Sequence, residues 1–354
     1  MNSGLRVGVT AMSHAAIDNL MQAVVNRFAE EGDSENLRAV RKAKEGSVRG
    51  IRYVDDNANV ARGDFNVIAG TTWLFASKPM RENPVDVLVV DEAGQLGLAD
   101  TVAATISATN VILLGDPQQL AQVSQATHPG GAGASALEHL LGDELTVFAD
   151  RGVLLDTTWR MHPDVCEFIS EVMYAGKLLS HVSCVGQSAA GQTGLRWLRA
   201  EHKGCSTESP EEAAIVVAEV EELLGQDWTD QHGVTHPLTA KDFMVVAPYN
   251  DQRRCIEAAL RANPATRGVE VGTVDKFQGQ EAAVVLFSMT TSSSEFMPRT
   301  ADFLFSKNRL NVAISRARCL AYLICTDNLL DTRAKDVEEM ELISALCAFV
   351  ERAG

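Results

Sequence analysis

Four consecutive apolar residues, Val87, Leu88, Val89 and Val90, run without a polar interruption straight into Asp91 and Glu92. A strand with one wet face alternates apolar and polar side chains, so an unbroken run demands burial on both faces, as in a parallel sheet covered by helices. Similar β-branched runs occupy residues 5–10, 66–69, 111–114, 243–247, 269–273, 283–288 and 321–325. Between them, residues 15–28, 164–174, 211–224, 251–260 and 337–350 carry apolar side chains at three- and four-residue spacing, the period of helices. This alternation predicts an α/β fold built on parallel sheets. A chain of 354 residues with 46% hydrophobic content can bury two ordinary cores. A boundary near Leu155 is expected, giving a first domain at residues 1–155, with a small insertion at about 30–62, and a second at 156–354.

Composition narrows the functional classes. The seven cysteines show neither Cys-x-x-Cys nor Cys/His ligand spacing, which reads as reduced thiols in a cytoplasmic protein. No apolar run reaches the ~20 residues of a membrane span, and no secretory signal pattern opens the chain. A net charge of −16 argues against coating nucleic acid by bulk electrostatics, although a narrow basic track remains compatible with it. The best local track is Arg38, Arg41, Lys42, Lys44, Arg49 and Arg52, which reads equally as a solvated helical face. Residues 129–135, 184–194 and 290–300 read as turns or surface loops, and residues 226–237 as a bridge from a helix to the next strand.

In the first half, the apolar run carries Asp91 and Glu92 to the carboxyl end of a strand, where ligands bind in open parallel sheets. Asp91 there suits Mg²⁺, held through water, and Glu92 suits orienting and deprotonating an attacking water. The plain alternative is that the two acids cap a following helix. Gly115-Asp116-Pro117-Gln118-Gln119 ends another apolar run, placing the neutral donor and acceptor Gln119 near a γ-phosphate or attacking water, or simply forming a Gly-Asp-Pro turn. Ser13 and His14 close a strand and open a helix, and Thr71 and Thr72 form a similar strand-end pair. Both groups suit a nucleic-acid backbone phosphate, and both are equally explained as an N-cap and a hydroxyl-rich turn.

In the second half, Thr158-Trp159-Arg160-Met161-His162-Pro163 precedes a helix, with Arg160 a fixed charge for the γ-phosphate and His162 a local brace. In the block from Asn308 to Arg318, Arg316 and Arg318 stand two residues apart, which on a helix separates them by roughly 200 degrees. Arg316 is taken as the arginine finger, with a surface ion pair as its alternative. The turn around Thr273, Asp275 and Glu281 is placed to couple two ligands, Thr273 and Asp275 toward nucleic acid and Glu281 toward nucleotide. Tyr249, at another strand end, is a base-stacking candidate or an ordinary half-buried aromatic.

Taken together, these blocks resemble superfamily 1 helicases of the type that includes the nonsense-mediated-decay helicase and the eukaryotic replication helicase–nuclease. The resemblance runs from about Val7 to Cys325. The wording around Asp91-Glu92-Ala93-Gly94-Gln95, His128-Pro129-Gly130-Gly131-Ala132-Gly133 and Trp159-Arg160-Met161-His162-Pro163 also resembles bacterial proteins that fuse a RecB-like nuclease to such a helicase. The resemblance implies two RecA-like lobes of P-loop NTPase type, ATP and Mg²⁺ in the cleft between them, and single-stranded DNA or RNA crossing both. It assigns Asp91 and Glu92 the metal and base roles, Gln119 sensing, Arg160 and Arg316 the γ-phosphate, and Glu281 a nucleotide contact. Ser13, Thr72, Tyr249 and Thr273 fall where family members touch the nucleic-acid backbone.

The chain departs from that pattern in one respect: it contains no G-x-x-x-x-G-K-[ST], the loop whose amides and lysine cradle triphosphates. The expectation is therefore the carboxy-terminal part of a longer helicase, its first lobe incomplete at the N-terminus, with a phosphate loop and any nuclease supplied upstream or by a partner chain. The alternative expectation is a catalytically inactive module that grips nucleic acid or a partner. An ordinary metabolic α/β enzyme would leave the two arginine blocks unexplained.

Overall fold

The computed structural model describes residues 4–120, 133–142, 144–277 and 279–354. The chain divides into two compact units, Met1–Glu144 and Leu145–Gly354, the division falling ahead of Leu155. The glycine-rich stretch at 129–135 lies outside the described residues as far as Ala132, and so does Gln278.

The first unit is a six-stranded, wholly parallel sheet. In chain order its elements are β1 (Val7–Ala11), α1 (His14–Glu30), β2 (Ala39–Lys42), β3 (Arg52–Val54), α2 (Asn57–Arg62), β4 (Val67–Ala69), α3 (Thr72–Phe75), α4 (Lys78–Glu82), β5 (Val85–Asp91), α5 (Leu98–Thr105), β6 (Ala108–Leu113) and α6 (Ala136–Leu141). The strand order is β3-β2-β4-β1-β5-β6, with Ala11 opposite Asp91 and Val9 opposite Ala69. The connections leave β1 toward β2 on one side and reach β5 on the other, so the order reverses at the carboxyl end of β1, where ligands bind in such sheets. Alternate residues feed two cores: Val9, Ala11, Val67 and Ala69 pack with Ile17 and Met21 of α1, while Ile68, Leu88 and Val90 pack with Leu74, Phe75 and Met80. Gly8 permits the second packing, because a Cβ there would lie 2.7 Å from the Phe75 ring and 2.9 Å from Leu88 Cδ1.

The basic segment is not a helical face. Residues 39–42 and 52–54 are strands that widen the sheet, and Arg41, 1% exposed, is interior. Its guanidinium meets Asp18 Oδ1 at 2.9 Å, His14 Nδ1 at 2.7 Å and the Lys42 carbonyl at 3.1 Å, so the buried charge is fully engaged.

The second unit contains β7 (Thr157–Thr158), α7 (Pro163–Tyr174), β8 (Leu179–Ser180), β9 (Ser188–Ala189), β10 (Gly194–Arg199), α8 (Pro210–Leu223), β11 (Asp227–Thr229), β12 (Thr235–Pro237), β13 (Phe243–Val246), α9 (Asn250–Ala262), β14 (Glu270–Gly272), β15 (Ala282–Ser288), α10 (Ala301–Leu304), α11 (Lys307–Ile314), β16 (Ala317–Cys325), α12 (Asp327–Leu330) and α13 (Val337–Ala353). Its main sheet, β10-β16-β15-β13-β14, is again wholly parallel. All seven residues of β15 are buried, the two-faced burial that its apolar run requires. Two loop expectations hold only in part, the segments connecting elements as expected but differing in detail. Residues 226–237 fold back as the antiparallel pair β11 and β12, which β9 extends, and Thr290, Thr291 and Ser292 are buried rather than on the surface.

Candidate functional site

Asp91 ends β5, and Glu92 follows with φ of +53°, a left-handed backbone that non-glycine residues adopt at a cost and that recurs at functional sites. A tight turn holds it: Gln95 N donates to Glu92 O at 2.8 Å, and Ala93 N donates to Leu114 O at 2.8 Å. The turn is pressed against the end of β6, since a Cβ on Gly94 would sit 2.6 Å from Asp116 O. Helix α5 begins only at Leu98, after Gly97, so the two carboxylates do not cap it. Beyond β6, Asp116 Oδ1 accepts from Gln118 N at 2.9 Å and Asp116 Oδ2 from Gln119 Nε2 at 3.2 Å. The turn expected at Gly115-Asp116-Pro117 is thus present, and it fixes Gln119 in a loop whose base abuts the Glu92 turn.

Ser13 is the N-cap of α1, accepting from Ala16 N at 3.0 Å, and His14 is exposed while its Nδ1 meets Arg41. Thr71 and Thr72 follow β4 on the same carboxyl edge. A cavity of about 430 Å³ is lined there by His14, Thr71, Lys42, Lys44, Asn57 and Trp73, among others. Lys42 Nζ lies 2.8 Å from Asp55 Oδ1, and its hydrogen bond holds the exposed Asp55 carboxyl below its ordinary range.

In the second unit, Arg160, Glu281 and Arg318 meet at the amino ends of β15 and β16. Arg160 Nε donates to Glu281 Oε2 at 2.6 Å, Arg318 Nη2 donates to Glu281 Oε1, and Arg160 Nη1 reaches Ser315 O at 3.1 Å. Burial alone would raise the Glu281 pKa, but the hydrogen bonds and charges of Arg160 and Arg318 outweigh it and hold the carboxyl below its usual range. Helix α11 stops at Ile314, so Arg316 and Arg318 are not two residues of one helix, and the angular argument against their acting together does not apply. Arg316 is 4% exposed, which rules out its reading as a surface ion pair, and its carbonyl accepts from Ala282 N at 3.0 Å, beside Glu281. His162 braces the block as expected: it caps α7, takes Asp164 N at 3.2 Å, and its backbone N donates to Arg318 O at 2.7 Å.

Thr273 and Asp275 follow β14 at the opposite, carboxyl edge, where Asp275 pairs with Arg309 at 3.7 Å. Tyr249 is buried and stacks on Phe303 at 5.6 Å, matching the plainer of its two readings. Arg299 and Arg309 lie 4.5 and 4.3 Å from the Phe303 ring centre. Sequence reasoning missed these two arginines, the partner role of Arg318, and Trp73; of the four, Trp73 had a signal, an aromatic directly after a strand-end hydroxyl pair.

Among the described residues no group of three His, Cys, Asp or Glu side chains is placed to hold a metal ion. Cys166 and Cys319 are poor nucleophiles, burial pushing their thiols up to about 11 and about 12. Among the described residues no helix is long and apolar enough to cross a membrane.

Residues 133–328 match the family AAA_12, described as an AAA domain, and residues 63–125 match AAA_11, also an AAA domain. The chain is 28% identical over 292 residues to DNA-binding protein SMUBP-2 of Mesocricetus auratus, covering 76% of this chain and 28% of that protein. It is 24% identical over 350 residues to DNA replication ATP-dependent helicase/nuclease JHS1 of Arabidopsis thaliana, covering 89% of this chain and 24% of that protein. Among solved structures, the Arterivirus nonstructural protein 10 helicase with DNA shares 15% identity at a TM-score of 0.47, covering 90% of this chain and 54% of that one. The chain spans about a quarter of the length of these curated relatives. With more than half of its residues inside one matching family and its α/β units both built on parallel sheets, the chain belongs to the AAA-domain superfamily 1 helicases.

Proposed function

We propose that the chain is the motor segment of an ATP-dependent helicase or translocase acting on single-stranded nucleic acid. The observation that carries this reading is the Asp91-Glu92 turn, a carboxylate pair at the switch point of a parallel sheet with Glu92 held in left-handed backbone against the loop of Gln119. Mg²⁺ with ATP would supply the transferable phosphoryl group and neutralise its charge. Asp91 would hold the ion through water, Glu92 would orient the attacking water and take its proton, and Gln119 would sense the γ-phosphate. Arg160 and Arg316 carry positive charge for the γ-phosphate, and Glu281, which fixes Arg160 and Arg318, is the nucleotide contact that sets their orientation.

Ser13, His14, Thr71 and Thr72 in the first unit and Thr273 and Asp275 in the second face the strand, while the buried Tyr249 backs the Phe303 ring beside Arg299 and Arg309. The strand is DNA in this reading, in keeping with relatives whose names specify DNA, and the protein is cytoplasmic and takes part in DNA repair. A phosphate loop comes from an upstream region or a partner chain. Support for this comes from β6, the sheet edge, where Val111 and Ile112, and Leu114 just after the strand, are exposed although the run is apolar enough for two-faced burial.

A second reading, an inactive module that grips nucleic acid, is favoured by the missing G-x-x-x-x-G-K-[ST]. The two separate by oligonucleotide affinity measured with ATP, ADP and no nucleotide. The motor reading expects affinity to change with the nucleotide; affinity indifferent to all three supports the module instead.

A further inference from the structure

We infer that Trp73 is a base-stacking platform, and that the cavity beside it holds one nucleotide of a single strand with its phosphate on Lys42 and Lys44. The inference rests on the nucleic-acid reading above and names a contact that reading leaves open. Helix α3 is anchored by Leu74 and Phe75, both buried, yet the residue before them, Trp73, is 81% exposed. An indole is the side chain with most to gain from burial, and the anchored helix holds this one in water beside an opening of about 430 Å³, within the ~300–1,000 Å³ of small-ligand sites.

The lining supplies the rest of a nucleotide's needs. Lys42 and Lys44 provide two cations against the single carboxylate of Asp55, a local positive excess in a chain of net charge −16. Thr71 and Asn57 offer hydrogen-bonding groups, and His14 is held in place by the interior Arg41. An apolar partner would bury the ring but make no use of the positive charge left over once Lys42 pairs with Asp55, whereas a nucleotide uses the ring and that charge together. Because every base has a π-face, such a platform binds without reading sequence.

The test compares a 5′-labelled oligothymidylate with the same strand carrying abasic sites, bound to the wild-type chain, Trp73→Ala, Trp73→Phe and Lys44→Ala. Stacking predicts that Trp73→Ala weakens oligothymidylate binding about 5- to 150-fold. It also predicts that Trp73→Phe loses less, and that wild type loses affinity on the abasic strand while Trp73→Ala does not. Lys44→Ala should lower affinity for both strands equally. Trp73→Ala binding like wild type, or losing as much on the abasic strand as wild type does, overturns the platform while leaving nucleic-acid binding intact; this is also the outcome if Trp73 faces a protein partner. Absence of binding to either strand by wild type overturns the nucleic-acid reading itself, and the platform with it.

Discussion

Glu212 opens α8 and is wholly buried, and its replacement gives a sharp prediction. Its Oε2 accepts from Ser288 Oγ at 2.5 Å and from Thr290 N at 2.8 Å, and its Oε1 lies 3.0 Å from His202 Nε2. A carboxylate only accepts, so His202 donates from Nε2 and its Nδ1 is left to accept from Ser292 Oγ at 2.7 Å. The network continues through Gln252, whose Nε2 donates to Ser288 Oγ at 2.9 Å and whose Oε1 accepts from Ser209 N at 2.6 Å. Thr290 is held at φ +69°, a conformation costing of order 1–3 kcal/mol that a fixed acceptor on its N–H sustains.

Glu212→Ala removes the acceptor from three buried donors, at roughly 1–3 kcal/mol each, part of which returns as the Thr290 backbone relaxes. The expected net loss is about 3–5 kcal/mol from the second unit, as for one partner removed from a buried pair. Glu212→Gln should lose far less, because its amide oxygen still accepts from Ser288 and Thr290 and its NH₂ can donate to His202 once the imidazole proton moves to Nδ1. Urea unfolding followed through Trp159, Trp197 and Trp228, all in the second unit, reads this out. An Ala variant within 1 kcal/mol of wild type, or a Gln variant as unstable as the Ala variant, would refute the assigned network.

Gly8→Ala should cost roughly 1–3 kcal/mol in the first unit, because the new methyl would lie 2.7 Å from the Phe75 ring and the core must shift to admit it; thermal unfolding checks it. Glu281→Gln should cost roughly 1 kcal/mol at neutral pH, near the upper end for partly exposed pairs. Since the folded-state pKa of Glu281 is lowered, the wild-type advantage should be complete above its unfolded value of about 4.3 and vanish as pH falls through the lower folded value. Matched urea melts of the two proteins at pH 7 and pH 3 test that sign.

How much of this was legible in the sequence depended on whether a residue's environment is set by its chain neighbours. Val87 to Val90 and residues 282–288 announce themselves because two-faced burial leaves no polar position, and the carboxylates at the end of β5 follow from the same run. The β2 segment Ala39-Val40-Arg41-Lys42 conceals a strand because its buried guanidinium is satisfied by Asp18 and His14, more than 20 residues away. The end of α11 was misread for a related reason. Asn308 to Arg318 looks continuous, yet Ala317 already begins β16, whose apolar run to Cys325 needs the extended backbone. The pairing of Glu281 with Arg160 and Arg318 spans 121 and 37 residues and is set by strand register, which local patterns do not encode. Trp73 carries a sequence signal in following a strand-end hydroxyl pair, but that it points to water emerges only from the burial of Leu74 and Phe75 beside it.

The most direct test of the central claim is the rate of ATP hydrolysis by the chain together with the upstream or partner segment that the proposal requires, with saturating single-stranded DNA, wild type against Glu92→Gln. The account predicts DNA-stimulated turnover that falls about 10²- to 10⁴-fold in the variant, the contribution of a positioned general base. DNA-stimulated turnover that Glu92→Gln leaves unchanged, or no turnover in the wild type, would contradict it.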